Sequence, residues 1–580
     1  MKQYQDYYTK HYLITNQNLV YVPWAVILGW LAWKCYEMFM FPGFSFGDDG
    51  QYLNLASSIA SGKLRLPLLD GWLRASEYFF LHGIIQSGIM AVWMEIIGFQ
   101  HWFWAAKAVP LTFGLGTLLF LFFTFRQEQI PASWSSVFLS ITAFDAFFMS
   151  QAFALRPDMA LSFAYLVAIY SLYLTWKQPL PRNALVAGIT SGTALLVKLE
   201  ALTILPTAAL VLLFCVDSFS SRIKQIGLYL VGLAFVILPY ALWIMMNDKR
   251  LDIFLLQFSY TNGNGLFDSS RQLPGTAAQI PDLAYHFFYR LYRLMQATVA
   301  TFLNGPKSMA SWLVLTGIIW GLFNFRKQKA RFWVFVLGSG LLTLSTSHAI
   351  QAERILMLLP VAALLGAHLA HFSPKMFIRY SGIAGAIILL ILIAQKIVVP
   401  SFEPPGGLNL MALIILTLIG IIVSLLPRLS QYRINRWCEG ILIAFVVVSV
   451  FHSAVNSFSQ PKNDRLSQIE LRRQLYSNFA VPGNVIVTDP SIYPLFPQHN
   501  QLISSTLFQI ERYYHYWPMY PQLDASIQAN AVVLSDSSFQ KWQQVELAKD
   551  LLNSQFWFWK TMHLSNGRNY YIFTRQNAQR

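Results

Sequence analysis

The sequence predicts an all-α polytopic membrane protein of about thirteen spans, followed by a small α/β domain at the C-terminus. Three observations carry this. Only 12% of the 580 residues are charged and 55% are hydrophobic, whereas soluble domains carry roughly 25% charged residues. Aromatic residues make up 16%, as suits a chain that crosses many membrane–water interfaces. Beyond residue 455 the apolar runs give way to a mixed tail. Disordered, collagenous and low-complexity classes fail on the same composition.

The net charge is +15, from 42 Lys and Arg against 27 Asp and Glu. The basic residues fall in small groups between apolar runs instead of in a stripe or arm, so they mark topology and no nucleic-acid partner is expected. Cys35, Cys215 and Cys438 lie in or beside apolar runs, with neither CxxC nor Cys/His metal spacing.

The first apolar run, 19–41, lacks a small-residue cleavage site and contains Lys34 and Glu37, so it reads as an uncleaved first helix. Further runs cover 102–125, 134–153, 159–176, 184–197, 201–216, 226–246, 312–325, 332–350, 355–369, 380–399, 410–426 and 441–451. Several are shorter than the roughly 20 residues of a perpendicular span. The run 79–99 decides the topology. Leaving it out puts Lys2, Lys10, Arg126, Lys177, Arg182, Arg222, Lys224, Arg326, Lys327, Lys329, Arg331, Lys375, Arg379, Arg428, Arg433 and Arg436 on one side. The positive-inside rule makes that side cytoplasmic. Residues 79–99 are therefore expected to form a juxtamembrane helix on the outer face, with His82 and Glu95 open to water. The N-terminus then lies inside, in the plasma (inner) membrane, and the C-terminus outside. Residues 1–455 form the transmembrane domain, with outer loops 42–101 and 247–310. Residues 456–580 form the extracytoplasmic domain, with strands at 485–488, 531–534 and 570–574 and helices at 465–479 and 539–552. Asn262-Gly263-Asn264-Gly265 marks the second loop as a candidate lid.

Four polar motifs fall at the outer ends of spans, where ionisable residues are costly and default to functional candidates. Phe46-Gly47-Asp48-Asp49-Gly50-Gln51-Tyr52 is an acidic, flexible loop able to hold a divalent cation or to place a carboxylate as a base; helix capping by Asp49 is its bland reading. Leu155-Arg156-Pro157-Asp158 precedes the fourth span, where Asp158 could equally cap and Arg156 snorkel. Leu196-Val197-Lys198-Leu199-Glu200 sets a lysine suited to a phosphate, or a mutually neutralised pair. Ala352-Glu353-Arg354-Ile355-Leu356 sets an arginine suited to gripping a phosphate bidentately, or one that simply snorkels. All four landing on one face is the argument: cations for a leaving phosphate, a carboxylate for an acceptor hydroxyl.

At these motifs the chain resembles the polytopic GT-C glycosyltransferases, in the protein O-mannosyltransferase-like branch that also holds the lipid A aminoarabinose transferases. The resemblance runs through Asp48-Asp49-Gly50-Gln51-Tyr52, the following helix, Arg156 and Asp158, the Gly-rich stretch 188–198 ending in Lys198, and Arg354 with Pro360. It implies a GT-C architecture with juxtamembrane helices in the first outer loop. It also implies inverting transfer of a sugar from a polyprenyl-phosphate donor to an acceptor hydroxyl of a glycan, lipid or protein on the outer face. Asp48, with Asp49 beside it, would activate the acceptor. Asp158 would orient the acceptor or share a Mg or Mn ion with Asp48. Lys198, Arg354 and Arg156 would hold the donor phosphate, and Tyr52 and Glu77 would contact substrate. The family's Lys-Pro-Pro-Leu reads Ser76-Glu77-Tyr78-Phe79 here, so Arg74 or Lys63 would replace its lysine. The alternative is a lipid or sugar transporter or flippase, disfavoured by the long outer tail and the lack of paired broken helices.

Overall fold

The computed structural model describes residues 21–40, 52, 56, 59–60, 84–97, 102–214, 219–248, 310–345 and 352–398. It also describes parts of 414–422, then 484–487, 502–503, 529–536, parts of 539–550, 551–564 and 567–575. Asp48, Asp49, Arg74, Glu77, Lys63 and His82 lie outside these residues, as do the loop 247–310 apart from its ends and the helix expected at 465–479.

The helices are α1 (Val22–Met40), α2 (Ile85–Ile97), α3 (Trp102–Gln127), α4 (Ala132–Ala143), α5 (Ala146–Gln151), α6 (Asp158–Lys177), α7 (Pro181–Val197), α8 (Ile204–Phe214), α9 (Phe219–Asp248), α10 (Ala310–Phe323), α11 (Gln328–Ser345), α12 (Leu359–Phe372) and α13 (Pro374–Val398). Among the described residues five stretches are long and apolar enough to cross a membrane: Trp104–Gln127, Asp158–Lys177, Phe219–Trp243, Arg354–Phe372 and Pro374–Ile391. The chain is a multi-pass membrane protein. On α9 the apolar residues Val231, Phe235, Leu238, Leu242 and Met246 are exposed, as a face turned to lipid would be.

Three expected runs are interrupted. The run 134–153 divides at Asp145, whose carboxylate accepts from the N–H groups of Phe147 (2.9 Å) and Phe148 (3.4 Å) and so starts α5. A 3₁₀ turn, Leu199–Thr203, precedes α8, and a second, Ala352–Leu358, precedes α12. Both turns tighten the backbone where a charged motif has to be presented at a helix end. Residues 79–99 contain a helix, α2, which packs on α3 through Met90, Ala91 and Met94 and leaves Glu95 exposed.

One continuous apolar core runs through α3, α4, α6, α8, α10, α11 and α12. Helices α7 and α9 approach each other backbone to backbone. Gly188 and Gly192, a Gly-x-x-x-Gly pair, lie against Tyr229, Leu233 and Val236, and Gly232 answers them against Leu185. A Cβ on Gly188 would run into the Tyr229 carbonyl, and one on Gly192 would lie 2.9 Å from the Val236 Cβ. In lipid, where apolar burial gives little drive between helices, such backbone approach supplies the packing.

Near the C-terminus five strands form one sheet in the order β2-β1-β3-β5-β4: β1 (Asn484–Val487), β2 (Leu502–Ile503), β3 (Ala529–Ser535), β4 (Phe556–His563) and β5 (Asn569–Arg575). β1 runs parallel to β2 and β3, while β5 is antiparallel to β3 and β4. The three expected strands form. β3 is central and buries Ala531, Val532, Val533 and Leu534 completely, which matches its unbroken apolar run. The edge strand β4 was not foreseen: Phe-Trp-Phe-Trp shows no alternation, and Trp557, Phe558 and Trp559 are exposed. Between β3 and β4 the helix α14 (Glu546–Gln555) occupies part of the expected 539–552.

Candidate active site

Helix direction decides which ends meet. The N-terminus of α6, the C-terminus of α7 and the two 3₁₀ turns all come together at one end of the helical body. Three of the four polar motifs are therefore neighbours, and the fourth, at Asp48 and Asp49, lies outside the described residues.

Asp158 is the first residue of α6. The cap position is Pro157, which makes no side-chain cap bond, so the carboxylate does not serve as a cap. It instead accepts from Lys198 at 2.7 Å (Nζ to Oδ1), with both side chains buried. Its Oδ2 has the Arg156 Nε at 3.7 Å and no hydrogen-bond partner among the described residues. Being at a helix N-terminus favours the charged carboxylate further. Lys198 ends α7 in an extended conformation, which turns the chain into the 3₁₀ segment. From there its ammonium also reaches Glu200 Oε1 at 3.5 Å. Glu200 in turn meets Arg354 Nη1 at 3.4 Å, and the buried Arg354 Nε has no hydrogen-bond partner among the described residues. Glu200 lies in the turn between α7 and α8; burial raises its carboxyl, but Lys198 and then Arg354 outweigh this and hold it below the usual carboxylate value.

Among the described residues the set Arg156–Asp158–Lys198–Glu200–Arg354 thus holds three cations and two carboxylates. Buried charge of this kind is costly unless paired. A lysine has three donors and an arginine five, so the network can admit one further anion without losing its internal pairs. The alternative of a mutually neutralised pair is met in part, since Lys198 does pair with Glu200, whereas the capping alternative for Asp158 is not met. The shorter bond of Lys198, however, is to Asp158, forty residues away.

Tyr52 is buried in a small cluster with Ala56, Met90, Met94, Ala105, Ala106, Val109 and Leu155. That places it next to the residue preceding Arg156. Among the described residues no three His, Cys, Asp or Glu side chains cluster as metal ligands. With cations outnumbering carboxylates around Asp158, a divalent ion there needs Asp48 or Asp49 as well.

The sequence reading passed over two further polar groups. At the site end, Lys34 pairs with Glu37 at 2.7 Å, and Lys34, Lys107 and Gln86 bond main-chain carbonyls. At the opposite end, Glu128 accepts from Lys177 (3.0 and 3.2 Å) and from the Tyr173 hydroxyl (3.3 Å), with His368 Nε2 3.7 Å away. Lys34 and Glu37 showed in the sequence only as charges inside the first apolar run, and Glu128 and Lys177 only as charges in the short segments that follow apolar runs.

Residues 82–243 match the family model described as dolichyl-phosphate-mannose-protein mannosyltransferase. The expected resemblance to the GT-C glycosyltransferases is borne out by that match, which includes Arg156, Asp158, Lys198 and Glu200 and stops short of Arg354. No curated protein matches. Among solved structures, ArnT from Cupriavidus metallidurans bound to undecaprenyl phosphate is 15% identical, with 96% of this chain and 97% of that one covered and a TM-score of 0.49. Its apo state gives 14%, 94%, 98% and 0.48. An oligosaccharyltransferase of Archaeoglobus fulgidus, in complex with zinc and sulfate, gives 11%, 90%, 72% and 0.32.

Proposed function

We propose, taking the mannosyltransferase-family match of residues 82–243 as the premise, that this protein is an integral-membrane glycosyltransferase of GT-C type. In this reading it moves a sugar from a polyprenyl-phosphate donor to an acceptor hydroxyl on the outer face of the plasma membrane. The domain division at residue 455, the cytoplasmic N-terminus and the count of about thirteen spans belong to the same proposal. The observation that carries it is the ion network at one end of the helical body, in which Asp158 binds Lys198 and Glu200 meets both Lys198 and Arg354. A transporter offers no reason for three separate motifs to meet at a single end.

The chemistry is a single displacement. The acceptor oxygen attacks the anomeric carbon, its proton passes to the Asp48 carboxylate, and the bond from that carbon to the phosphate oxygen breaks. Polyprenyl phosphate leaves with the bonding electrons, and the configuration inverts. Lys198 and Arg354 hold the leaving phosphate as its negative charge grows, and Arg156 adds a third cation. Asp158 keeps the Lys198 ammonium in place and orients the acceptor. If a Mg or Mn ion is used, Asp48 and Asp158 are its protein ligands. Asp49 supports Asp48 in activating the acceptor, Arg74 adds to the donor-phosphate contacts, and Tyr52 and Glu77 contact substrate.

The test is transfer of radiolabelled sugar from a panel of polyprenyl-phosphate donors in membranes. Wild type transfers from at least one donor, while Asp48→Asn and Lys198→Met lose about 10²-fold or more in kcat. A folded wild-type protein that turns over no donor rejects the reading.

A further inference from the structure

The stretch between α5 and α6, residues 152–157, carries Arg156, leads directly into Asp158 and is not helical. Inside a membrane protein, non-helical backbone survives only where its polar groups find partners. The main chain serves part of it: the carbonyls of Phe148, Ser150, Gln151 and Pro157 accept from Ala152, Phe153, Ala154 and Leu161. Three others are served by long side chains, each from a different helix. Lys34 on α1 donates to the Met149 carbonyl at 2.7 Å, Lys107 on α3 to that of Phe153 at 2.7 Å, and Gln86 on α2 to that of Leu155 at 2.5 Å. All three side chains are buried, at 1–2% exposure. Both ammonium groups also lie over the Phe153 ring, 4.7 and 6.0 Å from its centroid.

We propose that Lys107, Gln86 and Lys34 are positioning residues that fix the height and rotation of residues 149–155, and through them hold Asp158 within bonding reach of Lys198. A bond from an ammonium to a carbonyl is charge-assisted and stronger than a neutral one, so two of the three anchors are stiff. The last anchored carbonyl, at Leu155, is three residues before Asp158. A slip there is passed directly to the carboxylate, and displacements near 1 Å at a reacting group cost on the order of 10²-fold in rate. Only the kinetic part of the test rests on the transferase reading.

The experiment compares purified wild type, Lys107→Met, Lys107→Arg, Gln86→Met and Asp158→Asn, full length in detergent. The first readout needs no activity: brief acetic anhydride labelling, with acetylation at Lys198 quantified by mass spectrometry and Lys375 as reference. Lys198 is shielded by its bond to Asp158. Its labelling relative to Lys375 rises several-fold in Lys107→Met and Gln86→Met, toward the level of Asp158→Asn, and returns toward wild type in Lys107→Arg. The second readout is kinetic: with a polyprenyl-phosphate sugar, kcat falls about tenfold or more in the two Met variants while KM for the donor stays near wild type. Should Lys107→Met fail to fold, Gln86→Met carries both readouts. Unchanged Lys198 labelling in the folded variants overturns the positioning role. Changed labelling with an inactive wild type upholds it and overturns the transferase reading instead.

Discussion

Asp158 and Lys198 each have other charges nearby, and those neighbours determine what loss of either does. Removing the Asp158 charge leaves Lys198 with Glu200 alone, at 3.5 Å, and leaves three cations facing one carboxylate. Breaking a buried pair from one side costs about 3–5 kcal/mol. Asp158→Asn and Lys198→Met are each expected to lower the thermal midpoint of the detergent-purified protein by several degrees. The double variant is expected to lose less than the sum, because two half-pairs have gone together. Strict additivity of the two shifts would mean that the 2.7 Å contact contributes nothing. The motifs themselves were legible because charge is rare in this chain, and four charged clusters at span ends stand out against it. The partners were not: Lys198 sits two residues from Glu200 yet is bound more closely by Asp158, and no spacing rule links positions forty apart.

Helix packing explains why a glycine-rich stretch leads to the lysine. Gly188 and Gly192 let α7 lie backbone to backbone on α9, and Lys198 is the residue at which α7 ends. Gly188→Val is expected to force the two helices apart and lower stability by about 1–3 kcal/mol. Gly227, on α9, has nothing within 4 Å of an added Cβ, so Gly227→Ala is expected to be neutral or stabilising by about 0.5–1 kcal/mol. Thermal unfolding of both variants checks the pair, and equal destabilisation would place the α7–α9 crossing elsewhere. Hydropathy made most helices readable to within a few residues, as at α3, α6 and α7. It could not show breaks inside an apolar run. Asp145 starts a new helix with its own carboxylate, and the two 3₁₀ turns exist because Lys198 and Arg354 must reach across instead of along a helix.

Across the described residues the paired ionisable side chains gather at two ends. One end holds Arg156, Asp158, Lys198, Glu200 and Arg354; the other holds Glu128, Lys177 and His368. In the proposed topology, which rests on the positive-inside rule, the second end is cytoplasmic. In a variant lacking native cysteines, Glu95→Cys should react with an impermeant maleimide in intact cells, and Gln178→Cys only after permeabilisation. The reverse pattern would invert the topology and place the candidate site on the inner face. Composition made the multi-pass membrane character readable from the sequence. The carbonyl anchors at Lys34, Lys107 and Gln86 were not readable, because their partners are main-chain atoms that carry no sequence signature.

Those anchors also bear on how the chain is made. All three donors lie on α1, α2 and α3, and the carbonyls that they bond lie in α5 and the stretch after it. A ribosome emits the donors first. When the broken segment leaves the insertion machinery its hydrogen-bonding partners are already in the bilayer, so it need not wait in lipid with bare carbonyls. Moving α1 to the end of the gene, as a circular permutation would, removes that head start for Lys34 alone. Such a chain should insert the α4–α6 region less efficiently even though its finished contacts are the same.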